Sequence, residues 1–212
     1  SNRKSNQKLA PEPLFILFTA DPTPVVSADN QYNPYGRDFV DIRRRMVEQS
    51  NRTFSQDLDT FRGVLGLRGS LPDMGPLYDW EWEASLNMGR TEGINLTVGQ
   101  FSLARLRKAL GPASECTDDC VQLNLFGGPG SITPEMLDYI SYSGVARGWT
   151  EQRSIQVNTT GPLYELVPGN PIALALGYNY RWEAGSFLPD GNSLSGDTTG
   201  LVADATKGKY SV

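Results

Sequence analysis

Four segments of the chain alternate between apolar and polar side chains at every second position. They cover residues 58–71, 80–89, 152–163 and 172–183. In the second segment Trp80 and Trp82 alternate with Glu81 and Glu83 without a break. Successive side chains of a strand point to opposite faces, so each segment predicts a strand with one apolar face and one polar or small-residue face.

Short and long connections alternate between these segments. Two turns, residues 72–76 and 167–171, are rich in Pro and Gly, whereas roughly residues 91–150 separate the two hairpins that these turns close. Short turns at one end and a long loop at the other are the layout of an up-and-down meander from a transmembrane β-barrel, whose strands need about 9–11 residues to span. A soluble antiparallel sandwich shows the same alternation with its apolar face turned inward, so the pattern alone leaves both folds open.

The long connection contains two short helix candidates. Ser102 is a suitable N-cap for a helix that ends at Gly111. Thr133 as N-cap and Pro134 at the first helical position open a second helix that ends at Ile140. The fold class predicted from these elements is all-β, with short helices in one long loop.

Outside these segments the pattern is less regular. Residues 1–12 are mostly polar and predict a mobile terminus, and residues 39–48 predict a strand that contains Arg43, Arg44 and Arg45. An arginine run of this kind is typical of a solvated surface, and attraction of an anionic ligand is the alternative. Glu81 and Glu83 project from one strand face about 6–7 Å apart, which suits a wet lumen wall better than paired catalytic carboxylates.

Composition narrows the functional classes. The chain has no histidine, which excludes Ser-His-Asp and Cys-His nucleophile systems and His-ligated metals, and no other catalytic motif is present. We therefore predict no enzyme, no cofactor and no metal site. The net charge of −5 gives no electrostatic reason to expect nucleic acid as a partner. No apolar run approaches 18 residues, so no transmembrane helix is predicted, and no signal peptide is recognisable.

Cysteine occurs only at Cys116 and Cys120, which enclose Thr117, Asp118 and Asp119. This spacing fits neither a zinc pattern with two CxxC pairs nor a CxxC redox motif. A local disulfide in an oxidising compartment is the favoured interpretation. A metal site built from both thiolates and the two aspartates, and two unrelated small residues, are the alternatives.

Residues 120–140 resemble a long-loop signature of TonB-dependent outer-membrane receptors. The centre of the stretch reads Leu123-Asn124-Leu125-Phe126-Gly127-Gly128-Pro129-Gly130, and Gln122 stands where many relatives have Pro. Three further stretches resemble the same receptors in the same order, so that the resemblance covers residues 32–212. They are Tyr32-Asn33-Pro34-Tyr35-Gly36, residues 180–187 with Pro189-Asp190, and Ser195-Gly196-Asp197-Thr198-Thr199-Gly200.

The resemblance implies a fold and a function. Receptors of this family are barrels of about 22 strands with an N-terminal plug, and they import scarce nutrients with energy delivered by TonB. This chain shows no TonB box, no plug and no aromatic-ended terminal strand, and it is too short to close such a barrel. The resemblance therefore implies an interior piece of about four to six strands, located in the outer membrane of a Gram-negative cell. Its implied partners are outer-membrane lipid, a small nutrient ligand such as a ferric siderophore or a carbohydrate, and the TonB system through parts missing from this chain.

On this interpretation residues 1–212 form one partial barrel segment. Its parts are the first strands and hairpin at 37–96, a long extracellular loop at 97–147, a second hairpin at 148–187, and a final loop at 188–212. The side chains expected to face lipid are Leu86, Leu174, Leu176 and Tyr178, and those expected to face the lumen are Asn87, Ala175 and Asn179.

Loops on a rigid scaffold are where binding residues concentrate, so the long loop and the loop that follows residue 189 are the expected ligand vestibule. The candidate ligand-binding residues are Phe126, Tyr139, Tyr142 and Asp190. In the alternative interpretation of these loops, they only cover the barrel mouth. The rival to the whole transport hypothesis is a soluble all-β binding or adhesion module.

Overall fold

The computed structural model describes residues 1–16, 24–75 and 78–212 of the chain. Two sequence predictions fall partly outside these ranges. One is that Asp21-Pro22-Thr23-Pro24 cannot pair in a central strand, of which only Pro24 is described. The other is the first predicted turn, residues 72–76, of which Pro76 is not described. Within the described ranges most of the regular structure is β-strand, which confirms the predicted all-β class.

Six of the eight strands form one antiparallel sheet. In chain order the strands are β1 (Asn2–Leu9), β2 (Pro13–Ile16), β3 (Ile42–Arg45), β4 (Arg52–Ser70), β5 (Glu81–Phe101), β6 (Ser141–Val167), β7 (Asn170–Leu188) and β8 (Thr206–Ser211). The order in the main sheet is β1-β4-β5-β6-β7-β8, and β2 pairs with β3 in a separate small sheet. The four long strands β4 to β7 are each paired with their neighbours in sequence, so they form the predicted up-and-down meander. The sheet is open in the described ranges, with β1 and β8 at its edges.

The strand register divides the sheet into two chemically different faces. Leu65, Leu86, Ile155 and Tyr180 lie opposite one another across β4, β5, β6 and β7. The next row, shifted by one residue, faces the other way and consists of Gly66, Ser85, Gln156 and Asn179. The predicted alternation is therefore confirmed, and it places most apolar side chains of the four long strands on one face, while Phe54, Val64 and Phe187 lie on the other.

All four tryptophans of the chain belong to this apolar face. Trp80 and Trp82 lie toward the short turns, where Trp80 packs over Gly161 and its indole Nε1 donates a hydrogen bond to the carbonyl of Pro162 (2.9 Å). Trp149 and Trp182 lie toward the opposite end of the strands. The two rows between those of Trp82 and Trp182 consist of Leu67, Ala84, Val157 and Tyr178, and of Leu65, Leu86, Ile155 and Tyr180. Arg90 and Glu151 lie in the row between Trp182 and Trp149. The face thus has an apolar band bordered at both ends by aromatic rings.

Three short helices lie in the connections. α1 (Leu103–Leu110) begins at the N-cap Ser102, whose side chain accepts from the Arg105 amide, and it ends at Gly111 as predicted. α2 (Pro134–Ile140) begins at the N-cap Thr133, also as predicted. α3 (Gly191–Ser195) was not predicted. Among the described residues, none of the helices has both the length and the apolar character needed to cross a membrane.

The hydrophobic core of the protein lies in the loops and not against the sheet. The long connections, residues 10–51, 102–140 and 189–205, all lie at one end of the sheet, and together we call their described residues the cap. The buried apolar side chains of the first two connections, with Phe101 at the end of β5, form one cluster. Its members are Leu14, Val26, Met46, Phe101, Leu106, Ala109, Leu110, Leu123, Leu125, Ile132, Met136 and Ile140.

Several predicted boundaries are wrong. Residues 2–9 are not a mobile terminus, because they form β1 and pair with β4 from Asn2 opposite Asp59 to Leu9 opposite Arg52. The predicted loop at 97–147 shortens to 102–140, because β5 and β6 continue to pair up to Phe101 and Ser141. The predicted final loop at 188–212 contains α3 and β8. The strand predicted at 39–48 shrinks to β3, since only those residues pair with β2.

Candidate functional site

Within the cap, the third connection is attached to the second by a carboxylate at the start of α1. Asp197 accepts hydrogen bonds from the Ser102 hydroxyl (2.6 Å) and from the Ala104 amide (2.6 Å). Thr199 is bonded twice to the end of β5: its amide donates to the carbonyl of Phe101 (3.0 Å), and its hydroxyl accepts from the Phe101 amide (3.1 Å). An anionic side chain at a helix N-terminus satisfies free backbone amides and the helix dipole. The stretch at residues 195–200 that resembles the receptors thus fixes one loop onto another.

The glycine-rich stretch of the second connection is held by one arginine of the first. The guanidinium of Arg44 donates to the carbonyls of Leu125 (3.1 Å) and Gly127 (2.8 Å) and to the carboxylate of Glu48 (2.6 Å). Further bonds reach the carbonyls of Asn124 and Gly128 and the hydroxyl of Ser131. The Arg44 side chain is only 13% exposed. The prediction that the arginine run is a solvated surface is therefore wrong for Arg44, although Arg43 does lie in solvent beside Asp41.

The carboxylate of Glu48 completes this arrangement. Its Oε1 atom accepts from the Gly130 amide (2.9 Å) as well as from Arg44. Burial acts to raise the pKa of Glu48, but the backbone hydrogen bonds and the Arg44 guanidinium outweigh burial and hold the pKa below its ordinary value. Arg44 and Glu48 thus form a largely buried ion pair that holds the glycine-rich turn against β3.

Beneath the cap, the polar face of the sheet and the third connection enclose a groove of about 700 Å³. Its wall on the sheet side comes from β1, β4, β5, β6 and β7, and its other wall comes from α3 and the residues that flank it. The residues of polar or aromatic type that line it are Ser5, Gln7, Arg52, Phe54, Ser55, Gln56, Asn95, Thr97, Gln100, Phe187, Asp190, Ser193 and Thr199. A concave site of this volume that combines aromatic rings with a few polar groups has the usual composition of a ligand site. The groove is therefore the candidate functional site.

Glu12 and Arg52 close the groove where β1 and β4 enter the cap. The Arg52 Nη1 atom lies 2.8 Å from Glu12 Oε2, and Arg52 Nε donates to the carbonyl of Ala10 (3.0 Å). Glu12 is 4% exposed. Burial raises the pKa of Glu12, and the Arg52 charge and the hydroxyl of Thr199 oppose this rise only in part. The pair joins the first connection to β4, and through Thr199 to the third connection.

Of the four predicted ligand-binding residues, one lines the groove. Asp190 is the N-cap of α3, where it accepts from the Ser193 amide (3.0 Å) and from the Ser193 hydroxyl (2.7 Å). Tyr142 lies beside the groove, and its hydroxyl donates to Gln100 Oε1 (3.0 Å) and is hydrogen-bonded to Thr198. Both residues therefore shape this end of the groove.

The other two predicted binding residues lie in the second connection, partly buried against the core of the cap. Phe126 packs edge-on against Tyr35 (5.7 Å between centroids) and Phe39 (5.4 Å). Tyr139 packs against the hydrophobic cluster. Both rings therefore help to cover the core of the cap, and neither lines the groove.

Cys116 and Cys120 form a disulfide in the second connection. The bond removes both thiolates from the alternative metal site with Asp118 and Asp119. Among the described residues there is also no cluster of three or more histidine, cysteine or acidic side chains that would hold a metal ion. The disulfide does not line the groove.

Sequence reasoning missed most of the groove. Gln56 on β4 and Asn95 on β5 lie beyond the ends predicted for those strands. Gln7 lies in the stretch predicted to be mobile. A usable signal was present in β5, because Ile94, Leu96 and Val98 continue the period-two pattern and place Asn95 on the polar face. β1 gave no such signal, since its residues are polar on both faces.

Comparison with known proteins does not assign the chain. No protein-family model, no curated protein and no solved structure matches it.

Proposed function

We propose that this chain is part of a TonB-dependent outer-membrane receptor that binds and imports a scarce nutrient. In this proposal the four long strands cross the outer membrane of a Gram-negative cell and the apolar band faces lipid. The polar face lines the lumen, and the cap lies on the extracellular side, because barrels of this kind have short periplasmic turns and long extracellular loops. The resemblance of residues 32–212 to such receptors names the family.

The observation that carries the proposal is an apolar band on which no described part of the chain packs. Leu65, Leu67 and Leu86 are 65%, 66% and 51% exposed, although they lie in the middle of the sheet. A sandwich would cover these side chains with a second sheet, yet the described apolar core lies in the cap. An exposed apolar surface of this extent marks a contact with lipid or protein.

The size of the band suits a membrane. On β7 it runs from Ile172 to Trp182, about 34 Å along the strand at the usual rise per residue. A strand tilt of about 45° reduces this length to about 24 Å, close to the apolar band of about 25 Å on outer-membrane barrels. Tryptophans border the band at both ends, as the aromatic girdles of such barrels do. The open edges β1 and β8 leave room for further strands to pair.

Lipid-dependent fluorescence tests the proposal. The full-length protein is reconstituted in vesicles with and without brominated acyl chains, and the contribution of Trp182 is taken as the difference between the protein and its Trp182→Phe variant. We expect brominated lipid to quench this contribution, and equally that of Trp82. The soluble binding module would be supported by two results together. Brominated lipid would leave the emission of both tryptophans unchanged, and the protein would be recovered in the soluble fraction.

The transport part of the proposal needs a separate assay. A deletion strain is grown on a panel of ferric chelates and glycans as sole sources of iron or carbon. We expect a growth defect on one member of the panel that the intact gene restores. Normal growth of the deletion strain on every member of the panel would count against uptake of these nutrients.

A further inference from the structure

The groove beneath the cap offers almost no free charge to a ligand. Among the described residues that line it, only Arg52 and Asp190 carry charge. Arg52 is paired with the buried Glu12, and Asp190 is occupied by the amides and the hydroxyl at the start of α3. A charged ligand would have to break one of these arrangements, so the groove does not favour an anionic ferric chelate or a charged peptide.

The groups that remain are neutral amides and hydroxyls. Gln56 lies opposite Asn95 on β5 and opposite Ser5 on β1, so the three side chains form one row across three strands on the polar face. Gln7 belongs to the next row. An amide side chain both donates and accepts hydrogen bonds, as a sugar hydroxyl does. The row is therefore suited to a ligand that presents many hydroxyl groups.

One acceptor in this row lacks a partner. The Oδ1 atom of Asn95 is buried and has no hydrogen bond from any described residue. A buried acceptor without a donor costs stability. The Asn95 side chain must turn toward the groove before a ligand hydroxyl supplies the missing donor.

Aromatic rings flank the amides. Phe54 on β4 and Phe187 on β7 line the groove from the same face of the sheet. The strand between them, β6, contributes only small residues here. Ala146 lies opposite Asn95, and the Phe187 ring lies over Gly148. Aromatic faces pack against the C–H surfaces of sugar rings, while the amides bond the hydroxyls at their edges.

We propose that the groove binds a neutral, polyhydroxylated ligand of the oligosaccharide class. This inference rests on the proposed function, because it names the class of nutrient that the receptor captures. Asn95 and Gln56 bond the hydroxyls, and Phe187 contacts a sugar ring.

Titration calorimetry on the full-length protein, purified in detergent, tests the inference. The probes are maltoheptaose, mannohexaose and xylohexaose as neutral oligosaccharides, and ferric citrate as an anionic chelate. We expect binding of at least one oligosaccharide and none of ferric citrate. Gln56→Ala and Asn95→Ala should each weaken that binding about tenfold, the effect of losing one well-made hydrogen bond. Gln56 is exposed, so its replacement leaves the fold intact.

The matched control is Asn179→Ala, on the same polar face but outside the groove. It should leave the affinity unchanged. The ligand class would be overturned if ferric citrate bound and Gln56→Ala weakened that binding. It would also be overturned if none of the three oligosaccharides bound. Oligosaccharide binding that neither groove variant weakens would overturn the site. The lipid-quenching measurement on Trp182 is independent of these outcomes, so loss of the ligand class and loss of the membrane assignment can be told apart.

Discussion

The cap and the sheet obey opposite rules of burial. In the cap, apolar side chains such as Phe101 and Leu110 are fully buried, and polar groups such as Asp197 and Arg44 are bonded to backbone atoms of neighbouring loops. In the sheet, Leu65 and Leu86 are more than half exposed. The strands are held by backbone hydrogen bonds and by side-chain pairs such as Asn158 with Glu83 (2.6 Å).

This difference shows where each region obtains its stability. The cap contains enough apolar surface to form a core of its own in water. The sheet has a regular apolar face but nothing in the described ranges to bury it, so its stability depends on what covers that face. Mutations should therefore act by different mechanisms in the two regions.

The largest effect is expected in the cap core. Phe101→Ala should lower the free energy of cap opening by about 3–5 kcal/mol, because the ring is fully buried and its removal leaves a cavity. The measurement is hydrogen exchange of backbone amides in α1 and α2. The control is Leu65→Ala in the exposed band, for which we expect no change in cap exchange. Equal effects of the two substitutions would contradict the separation between cap and sheet.

The second prediction concerns the two faces of the sheet. Leu86→Arg should destabilise the protein in lipid by about 2–4 kcal/mol, because Leu86 lies in a central row of the apolar band. Asn87→Arg, one residue away on the polar face, should cost about 0–1 kcal/mol. The measurement is the free energy of unfolding in vesicles. Similar values for both variants would mean that the apolar face does not meet lipid.

The central strands could be predicted because their burial pattern is local and regular. Alternation along residues 80–89 and 172–183 places their side chains correctly on two faces. β1 could not be found in this way, because it is polar on both faces and is held by pairing with β4, distant in sequence. The core of the cap could not be predicted from local patterns either, since Leu14, Met46 and Phe101 are distant in sequence.

The groove was less predictable than the strands. Asp190 was selected from a local resemblance, and it does line the groove. The opposition of Gln56 and Asn95 follows from the register of β4 and β5, which short-range patterns do not determine. Phe126 and Tyr139 pack against the core of the cap, and an aromatic side chain in a loop has the same sequence signal whether it meets a ligand or a core.

The third prediction tests how the cap holds its loops. Arg44→Met should lower cap stability by about 2–3 kcal/mol, because it leaves several loop carbonyls and the Glu48 carboxylate without their donor. Arg43→Met, which removes an exposed arginine, should cost at most about 0.5 kcal/mol. Hydrogen exchange of the amides at residues 126–131 measures both. A loss for Arg43→Met as large as that for Arg44→Met would indicate a general effect of charge.

The smallest effect expected is the pH dependence of the same ion pair. The pKa of Glu48 in the folded protein lies below its ordinary value of 4.5. The stability that its charge contributes is therefore complete above pH 4.5 and is lost as the pH falls through the lower, folded value. Glu48→Gln should cost about 1–2 kcal/mol at neutral pH and should remove this acid-side loss of cap stability.

Glu12 provides the opposing control within the same cap. Its pKa is raised in the folded protein, so its contribution is complete below the ordinary value of 4.5 and is lost as the pH rises through the folded value. In the unsubstituted protein, Glu12 should make the cap less stable as the pH rises above 4.5, and Glu48 should make it less stable as the pH falls below 4.5. Glu12→Gln should abolish the first change, and Glu48→Gln should abolish the second. Both slopes are measured by cap hydrogen exchange, corrected for the intrinsic exchange rate, from pH 3 to about pH 8. Slopes of the same sign would show that net charge governs the cap, and not the separate surroundings of these two carboxyl groups.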